Sequence, residues 1–315
     1  MDDQPKATEP PLVSVCVMTY NHERFIGKCL DSILEQETDF RFEICLGEDD
    51  SPDGTRDICR RYAEENPELV RLFLHSREDV VHVNGRPTAQ GNFSNTMREA
   101  RGKYMVLCDG DDFWCSPDKL QKQVDFLEDH DEYSGCFHRI MKVDEDGRTL
   151  IPDCGPPPGG LTRYTQSHFL SMGGIAPLFS VMFRNEYSTG LPDWFMKLEY
   201  VDLPLHFNNT QAGPYGYIDE IMGCYRIHGA GMANGSSRVR IVSMTIDAYE
   251  ISGEHLDIQD QVAYSRGLRA LKWSLHIEKW MVRLLPTRVK GHFDQGIGLK
   301  LRRFMRKMIS RGADR

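Results

Sequence analysis

Residues 104–114 read Tyr-Met-Val-Leu-Cys-Asp-Gly-Asp-Asp-Phe-Trp, an apolar run that ends in three carboxylates, Asp109, Asp111 and Asp112. The apolar part predicts a buried strand. Clustered acids repel one another, so a cation among them stabilises the arrangement. Oxygen ligands favour Mg2+ or Mn2+, and such ions commonly share their coordination with substrate phosphates. The stretch therefore predicts a metal and diphosphate site at a strand end. The alternative is a solvated acidic turn that also caps the next helix.

Strands and helices alternate upstream of this motif. Apolar runs at residues 12–18, 42–47 and 69–74 predict strands. Apolar side chains at helical spacing predict helices over residues 22–36 and after residue 55. This alternation predicts βαβ units, a parallel sheet with right-handed crossovers and thus an α/β fold.

Acidic clusters follow two of these predicted strands. Residues 48–53 form a turn that contains Glu48, Asp49 and Asp53, and residues 109–112 form the second cluster. Ligands of parallel sheets bind beyond the carboxyl ends of the strands, so we expect the two clusters to meet in one crevice. Asp53 is expected to cap the helix that follows it.

The remainder of the chain is less regular. Residues 75–90 are polar and predict a loop, and residues 153–160 predict an irregular Pro/Gly-rich connection. Strands are expected at residues 178–183 and 215–225, and residues 236–315 are expected to be mostly helical.

Composition excludes several classes of protein. The 315 residues contain no run of 18 apolar residues, so no transmembrane helix is expected, and the polar N-terminus does not resemble a signal peptide. The net charge of -9 argues against a nucleic-acid binder. Nine cysteines without C-x-x-C pairs predict free thiols and a cytoplasmic location.

The C-terminal end differs in charge from the rest of the chain. Residues 280–315 contain ten Lys or Arg and two Asp, and residues 299–309 place apolar side chains on one helical face. This pattern fits an interfacial helix at the inner face of an anionic membrane, which would suit a lipid-linked acceptor. The alternative is a helix that packs on the catalytic domain or on a partner in an oligomer. Trp273 and Trp280 upstream fit either interpretation.

Four segments in order resemble the family 2 glycosyltransferases of the GT-A fold, of the bacterial polysaccharide or glycolipid type. They are Val-Ser-Val-Cys-Val-Met-Thr-Tyr-Asn (13–21), Gly-Glu-Asp-Asp-Ser-Pro-Asp-Gly-Thr (47–55), Gly-Lys-Tyr-Met-Val-Leu-Cys-Asp-Gly-Asp-Asp-Phe-Trp (102–114) and Tyr-Arg-Ile-His-Gly-Ala-Gly (225–231). The resemblance implies a mixed, mainly parallel, Rossmann-like sheet flanked by helices. It spans residues 11–235, as a nucleotide-binding half (11–130) and an acceptor half (131–235), and leaves residues 236–315 as a helical extension.

The resemblance also implies an activity, the inverting transfer of a sugar from a nucleotide-diphosphate sugar to a hydroxyl of a saccharide or lipid-linked acceptor. A carboxylate can accept a hydrogen bond from a uracil N–H, so UDP is the expected nucleotide. At position 48 this chain has Glu, whereas the family more often has Asp at the matching position. Six residues match positions on the nucleotide-sugar side: Thr19, Tyr20, Glu48, Asp49, Asn92 and Asp109.

The implied metal is Mn2+ or Mg2+. Asp109 and Asp111 match the family's Asp-x-Asp motif, with Asp111 as the direct ligand and Asp109 near the ribose or the metal. Asp112 is expected either as a second ligand or as an acid at a helix start. His228 can ligate the metal or hydrogen-bond an oxyanion, and the alternative is a structural His at a turn.

Inversion requires a carboxylate on the face opposite the leaving diphosphate. The segment Asp202-Leu203-Pro204-Leu205 matches the family's Asp-Trp-Pro-Leu, so Asp202 is the expected general base, with Glu199 as the alternative. Asp202 can also cap a helix that starts at Leu203.

Two rival functions remain open from the sequence. One is a nucleotidyltransferase on a similar sheet, which normally has a Gly-rich phosphate loop where Thr19-Tyr20-Asn21 stands. The other is a non-catalytic nucleotide-binding scaffold that has kept the fold.

Overall fold

The computed structural model describes residues 10–156, 160–172, 175–229 and 236–284. The strands in these ranges are β1 (Val13–Thr19), β2 (Phe42–Glu48), β3 (Val70–Leu74), β4 (His82–Val83), β5 (Arg86–Pro87), β6 (Tyr104–Asp109), β7 (Phe113–Trp114), β8 (Gly135–Val143), β9 (Thr149–Cys154), β10 (Arg163–Tyr164), β11 (Val181–Arg184) and β12 (Tyr215–Arg226). The α-helices are α1 (Ile26–Leu34), α2 (Thr55–Glu65), α3 (Gln90–Arg98), α4 (Lys119–Asp129), α5 (Gln166–Met172), α6 (Asp202–Ala212), α7 (Arg238–His255) and α8 (Gln261–Leu284).

One sheet organises the fold, with the strand order β10-β12-β8-β11-β6-β1-β2-β3, while β7 pairs with β12 and β9 with β8. Strands β6, β1, β2 and β3 pair in parallel, as the βαβ pattern predicts. The antiparallel strand β11 joins this region to the second half, in which β8 and β12 are again parallel. The α/β fold class with a mixed sheet is therefore confirmed.

The central strands are buried on both faces, which explains why their sequences are continuously apolar. In β1, Val15 and Val17 pack into the core layer on one side of the sheet, whereas Cys16 and Met18 pack into the layer on the other side. All nine cysteines are free thiols, as expected, and seven of them are buried.

Several local predictions need correction. Helix α1 begins at Ile26, later than residue 22, because the chain bends at residues 20–21, where Asn21 has a positive φ of 57°, and turns again over residues 23–25. The expected loop at 75–90 contains the hairpin β4–β5. A 3-10 turn, Leu178–Ser180, precedes the short strand β11.

The C-terminal helices pack on the sheet domain. Ala248 and Tyr249 of α7 belong to the same core as residues of the sheet, and the Tyr249 hydroxyl donates to the Leu170 carbonyl at 2.7 Å. The domain boundary at residue 235 stays a prediction. The expected tail helix at residues 299–309 lies outside the described residues. Within the described part, none of the helices has the length and apolar character needed to cross a bilayer.

Candidate active site

The ends of neighbouring strands bring the two acidic clusters together. Thr19 of β1 lies beside Glu48 of β2, and Met18 of β1 lies beside Asp109 of β6. A cavity of about 480 Å³ opens at this edge. Its lining includes Thr19, Tyr20, His22, Asp49, Gln90, Asn92, Asp109, Asp111, Asp112, Glu199, Tyr200, Asp202, Tyr225, Arg226, Ile241, Met244 and Thr245. The predicted crevice therefore exists.

One end of the cavity is lined by Tyr20 and Asp49, and both side chains contact the Arg77 guanidinium, which does not itself line the cavity. The Arg77 guanidinium lies 4.1 Å from the centre of the Tyr20 ring, and its Nη1 donates to Asp49 Oδ2 at 2.6 Å. Burial raises the pKa of Asp49 to about 6, although Arg77 opposes this effect. The arrangement can stack a planar ring and form hydrogen bonds with its edge.

Asn92 packs against the end of β2. Its Nδ2 donates to the Gly47 carbonyl at 3.1 Å, and its Oδ1 accepts from Thr96 at 2.9 Å. A Cβ on Gly47 would lie 2.1 Å from both of these side chains, so glycine is required for this contact. The Asn92 side chain thus lines the cavity while it holds α3 against the strand.

Glu48 lies away from the cavity wall. Its fully buried carboxylate forms an ion pair with Arg56 and accepts from the Ser51 N–H at 2.7 Å. In this position Glu48 stabilises the turn that carries Asp49. Asp53 does not occupy the expected cap position, which is Gly54, but its Oδ1 accepts from the Thr55 N–H at 3.1 Å at the start of α2.

The three acids after β6 form one cluster. Asp109, Asp111 and Asp112 each place an oxygen within 4.8 Å of the others. Gly110 allows this loop to approach β1, because a Cβ there would lie 2.7 Å from the Thr19 hydroxyl. Burial, followed by the charges of other carboxylates, raises the pKa values of Asp109 and Asp112 well above their ordinary range. A divalent cation would relieve this repulsion, and carboxylate oxygens are suitable ligands.

Two histidines flank Asp111. His228 Nε2 lies 2.8 Å from Asp111 Oδ2, and His22 Nε2 lies 3.7 Å from the same oxygen. Burial raises the pKa of Asp111, but the hydrogen bond from His228 and the neighbouring imidazoles bring it below its ordinary value. His228 is therefore next to the acid cluster, although it is not among the residues that line the cavity.

Arg226 fixes the loop that carries these acids. Its backbone N–H donates to Asp112 Oδ1 at 2.8 Å, and its Nε donates to the Asp111 carbonyl at 2.9 Å. Asp112 does not lie at a helix start, because α4 begins only at Lys119. The other expectation, that Asp112 is a second metal ligand, stays a prediction.

Asp202 and Glu199 line the same cavity from α6 and the loop before it, in different surroundings. Asp202 is exposed to the cavity, and the protein atoms around its carboxyl restrict its solvation and raise its pKa to about 6. Helix α6 begins at Asp202 itself, so this residue lies in the first turn and not at the expected cap.

Glu199 is engaged by two partners. Its Oε1 accepts from Asn84 at 3.0 Å, and its Oε2 accepts from Arg240 Nη2 at 3.0 Å and Nε at 3.2 Å. Burial raises the pKa of Glu199, but these hydrogen bonds bring it below its ordinary value. A carboxylate held in this way is a weaker proton acceptor than Asp202.

Sequence analysis missed three residues of this site. His22 directly follows the Thr-Tyr-Asn turn, and that position was the available signal. Arg77 and Arg240 contact the site from a loop and from α7, and no local pattern distinguishes them from surface arginines.

Comparison with known proteins supports this reading of the fold. The family model described as Glycosyl transferase family 2 matches residues 14–186. The chain belongs to glycosyl transferase family 2. The resemblance inferred from the four segments is thereby confirmed.

An uncharacterized protein of Mycobacterium tuberculosis is 32% identical over 221 residues, which cover 70% of this chain and 60% of that protein. The chain thus spans less than two thirds of that relative. The structure of this chain resembles that of S. aureus TarS in complex with UDP-GlcNAc. The TM-score is 0.60 and the identity 16%, over 88% of this chain and 77% of TarS.

It also resembles the mannosyltransferase PcManGT from Pyrobaculum calidifontis in complex with GDP-Man and Mn2+. The TM-score is 0.59 and the identity 19%, over 97% of this chain and 85% of that one. At these identities the likeness shows the fold alone, and that fold is the expected GT-A fold.

Proposed function

We propose that this chain is a metal-dependent inverting glycosyltransferase that moves a sugar from a nucleotide-diphosphate sugar, preferably a UDP-sugar, to a hydroxyl acceptor in polysaccharide or glycolipid synthesis. One observation carries the proposal. The Tyr20–Asp49 end, the acid cluster and Asp202 all line a single cavity. Free thiols at all nine cysteines support a cytoplasmic location.

The nucleotide base is assigned to the end of the cavity that contains Tyr20. The Tyr20 ring offers a stacking surface, and Asp49 offers an acceptor for a ring N–H such as that of uracil. Arg77 covers the Tyr20 ring and pairs with the Asp49 carboxylate. Its guanidinium can therefore donate hydrogen bonds to the carbonyl oxygens of the bound base. TarS was crystallised with UDP-GlcNAc, which supports a UDP-sugar as the donor.

Asp111, together with Asp109 or Asp112, would hold a divalent cation. Their oxygens lie close enough to share one ion, and His22 and His228 hold Asp111 in place. When bound, Mn2+ or Mg2+ supplies positive charge for the departing diphosphate. PcManGT was crystallised with Mn2+ and GDP-Man, which is consistent with this role.

Asp202 is proposed to accept the proton of the attacking acceptor hydroxyl. With a pKa of about 6, its carboxylate is ionised at neutral pH and is still basic enough to act as a general base. Glu199 is proposed to position the wall around Asp202, because Asn84 and Arg240 already occupy its oxygens.

A thermal-shift screen of nucleoside diphosphates with and without Mn2+ tests the donor site. We expect UDP to raise the melting temperature only with the metal present, since a ligand stabilises the state that it binds. Asp111→Ala should abolish this shift, whereas Asp57→Ala, which removes an exposed carboxylate on α2, should retain it.

Stabilisation by a different nucleotide would change the donor class. Failure of every nucleotide, with and without metal, would overturn the proposal in favour of a non-catalytic scaffold. Release of pyrophosphate from a nucleoside triphosphate and a sugar phosphate would favour the nucleotidyltransferase instead.

A further inference from the structure

Helix α8 has an exposed face with two tryptophans. Trp273 and Trp280 are 50% and 58% exposed, and Val262 on the same helix is 63% exposed. The two tryptophans are seven residues apart and therefore project from the same side of the helix. Exposed apolar patches mark protein or membrane contact sites, so two tryptophans on one side of a helix are a candidate contact surface.

The position of this face follows from ion pairs between α7 and α8. Lys272 contacts Glu250 at 2.6 Å, and Arg238 lies 3.9 Å from Glu278, so the two helices are antiparallel. Trp280 is two residues from Glu278 and projects from roughly the opposite side of the helix. The tryptophan face is therefore directed away from α7.

The same end of the helix pair borders the active site. Ile241, Met244 and Thr245, in the first turns of α7, line the cavity, and Arg238 beside them contacts the final part of α8. A surface that docks at Trp280 thus lies at the end of the helix pair whose α7 residues line the cavity.

Charge indicates the kind of partner. Arg269 and Lys279 are exposed on α8, and residues 285–315, which continue the chain beyond it, contain nine Lys or Arg and two Asp. Because the whole chain has a net charge of -9, the basic residues are concentrated at this end. A second copy would bring like charges together, whereas an anionic surface would complement them.

We propose that the Trp273–Trp280 face docks on an anionic lipid surface. Tryptophan favours the interfacial region of a bilayer, and the exposed Arg269 and Lys279 of the same helix can bind anionic headgroups, so the two features act together. The inference rests on the proposed function in one respect: it makes the acceptor lipid-linked, delivered to the cavity from the membrane on which α8 sits.

Co-sedimentation of the full chain with vesicles tests this docking without any nucleotide sugar. Vesicles of phosphatidylcholine with phosphatidylglycerol should bind the protein, and vesicles of phosphatidylcholine alone should bind it much less. Trp273→Ala/Trp280→Ala should weaken binding to anionic vesicles about tenfold or more, because two interfacial side chains are lost. Leu150→Ala/Ile151→Ala removes two exposed apolar side chains from β9 and should leave binding unchanged.

Two further measurements exclude other occupants of the face. Without vesicles, acrylamide should quench the fluorescence of Trp273 and Trp280, which identifies an uncovered face. Protection from quenching would show that another part of the chain covers it. If light scattering shows a dimer that the double substitution abolishes, a second copy of the chain covers the face. Either result would overturn the proposal.

Equal vesicle binding by the wild type and the tryptophan double variant, or no binding by either, would also overturn it. The double variant should retain its nucleotide-dependent thermal shift. If the wild-type chain shows the UDP shift but does not bind vesicles, only the docking proposal is overturned. If it binds vesicles but shows no UDP shift, only the proposed reaction is overturned.

Discussion

The two walls of the cavity are built in different ways. On the nucleotide side, Thr19, Asp49 and Asp109 come from the ends of adjacent parallel strands, so the strand register alone brings them together. In the other region, Asp202 lies at the start of α6, and Glu199 lies in the loop before it, where an ion pair with Arg240 of α7 joins distant segments. The comparison teaches that the first wall is determined by local patterns, and the second by tertiary packing.

The largest expected effect tests the second wall. Asp202→Asn should lower kcat about a thousandfold, because the general base is lost while the shape of the side chain is kept. Steady-state transfer assays measure this loss, and the metal-dependent shift with UDP should stay unchanged. Full turnover in the variant would contradict the assignment of the base.

The pH profile of transfer examines the same residue. Restricted solvation of the carboxyl raises the Asp202 pKa to about 6, and a general base acts only when it is deprotonated. Below pH 6 the rate should therefore fall about tenfold for each pH unit, and it should be level just above pH 7. The control is UDP binding measured at each pH, which separates loss of the base from loss of donor affinity. A profile that is flat down to pH 5 would indicate a different base.

A smaller effect is expected on the first wall. Arg77→Ala should raise the Kd for UDP about tenfold, because the guanidinium over Tyr20 and its pair with Asp49 are lost. Titration calorimetry measures this change. The matched control is Arg60→Ala, which removes a half-exposed arginine from α2 and should leave the affinity unchanged. If Arg77→Ala bound UDP as tightly as the wild type, the base would not lie at this end of the cavity.

The smallest expected effect concerns the ion pair between Glu199, in the loop before α6, and Arg240 of α7. Glu199→Gln and Arg240→Ala should each raise the KM for the acceptor about fivefold, and the double variant should be little worse than either single variant, since the residues act as a pair. The KM for the donor should not change. Fully additive effects would show that the ion pair does not position the wall.

Much of the parallel region was predictable from sequence. Strands buried on both faces have continuous apolar runs, and the acids directly after them must lie at the sheet edge. The family resemblance added the roles of Asp111 and Asp202, which periodicity alone does not assign. The role of Glu48 was not predictable, because its burial against Arg56 depends on how the following turn folds.

By itself the sequence determined the α/β class and the strand ends that carry Asp49 and Asp109. Only the tertiary structure decided that His22 and His228 flank Asp111, that Arg77 covers Tyr20, and that Arg240 holds Glu199. The physical reason is the range of the interactions. Periodicity reports on neighbours within a turn or a strand, whereas these contacts join residues that are distant in the chain or depend on the shape of a turn.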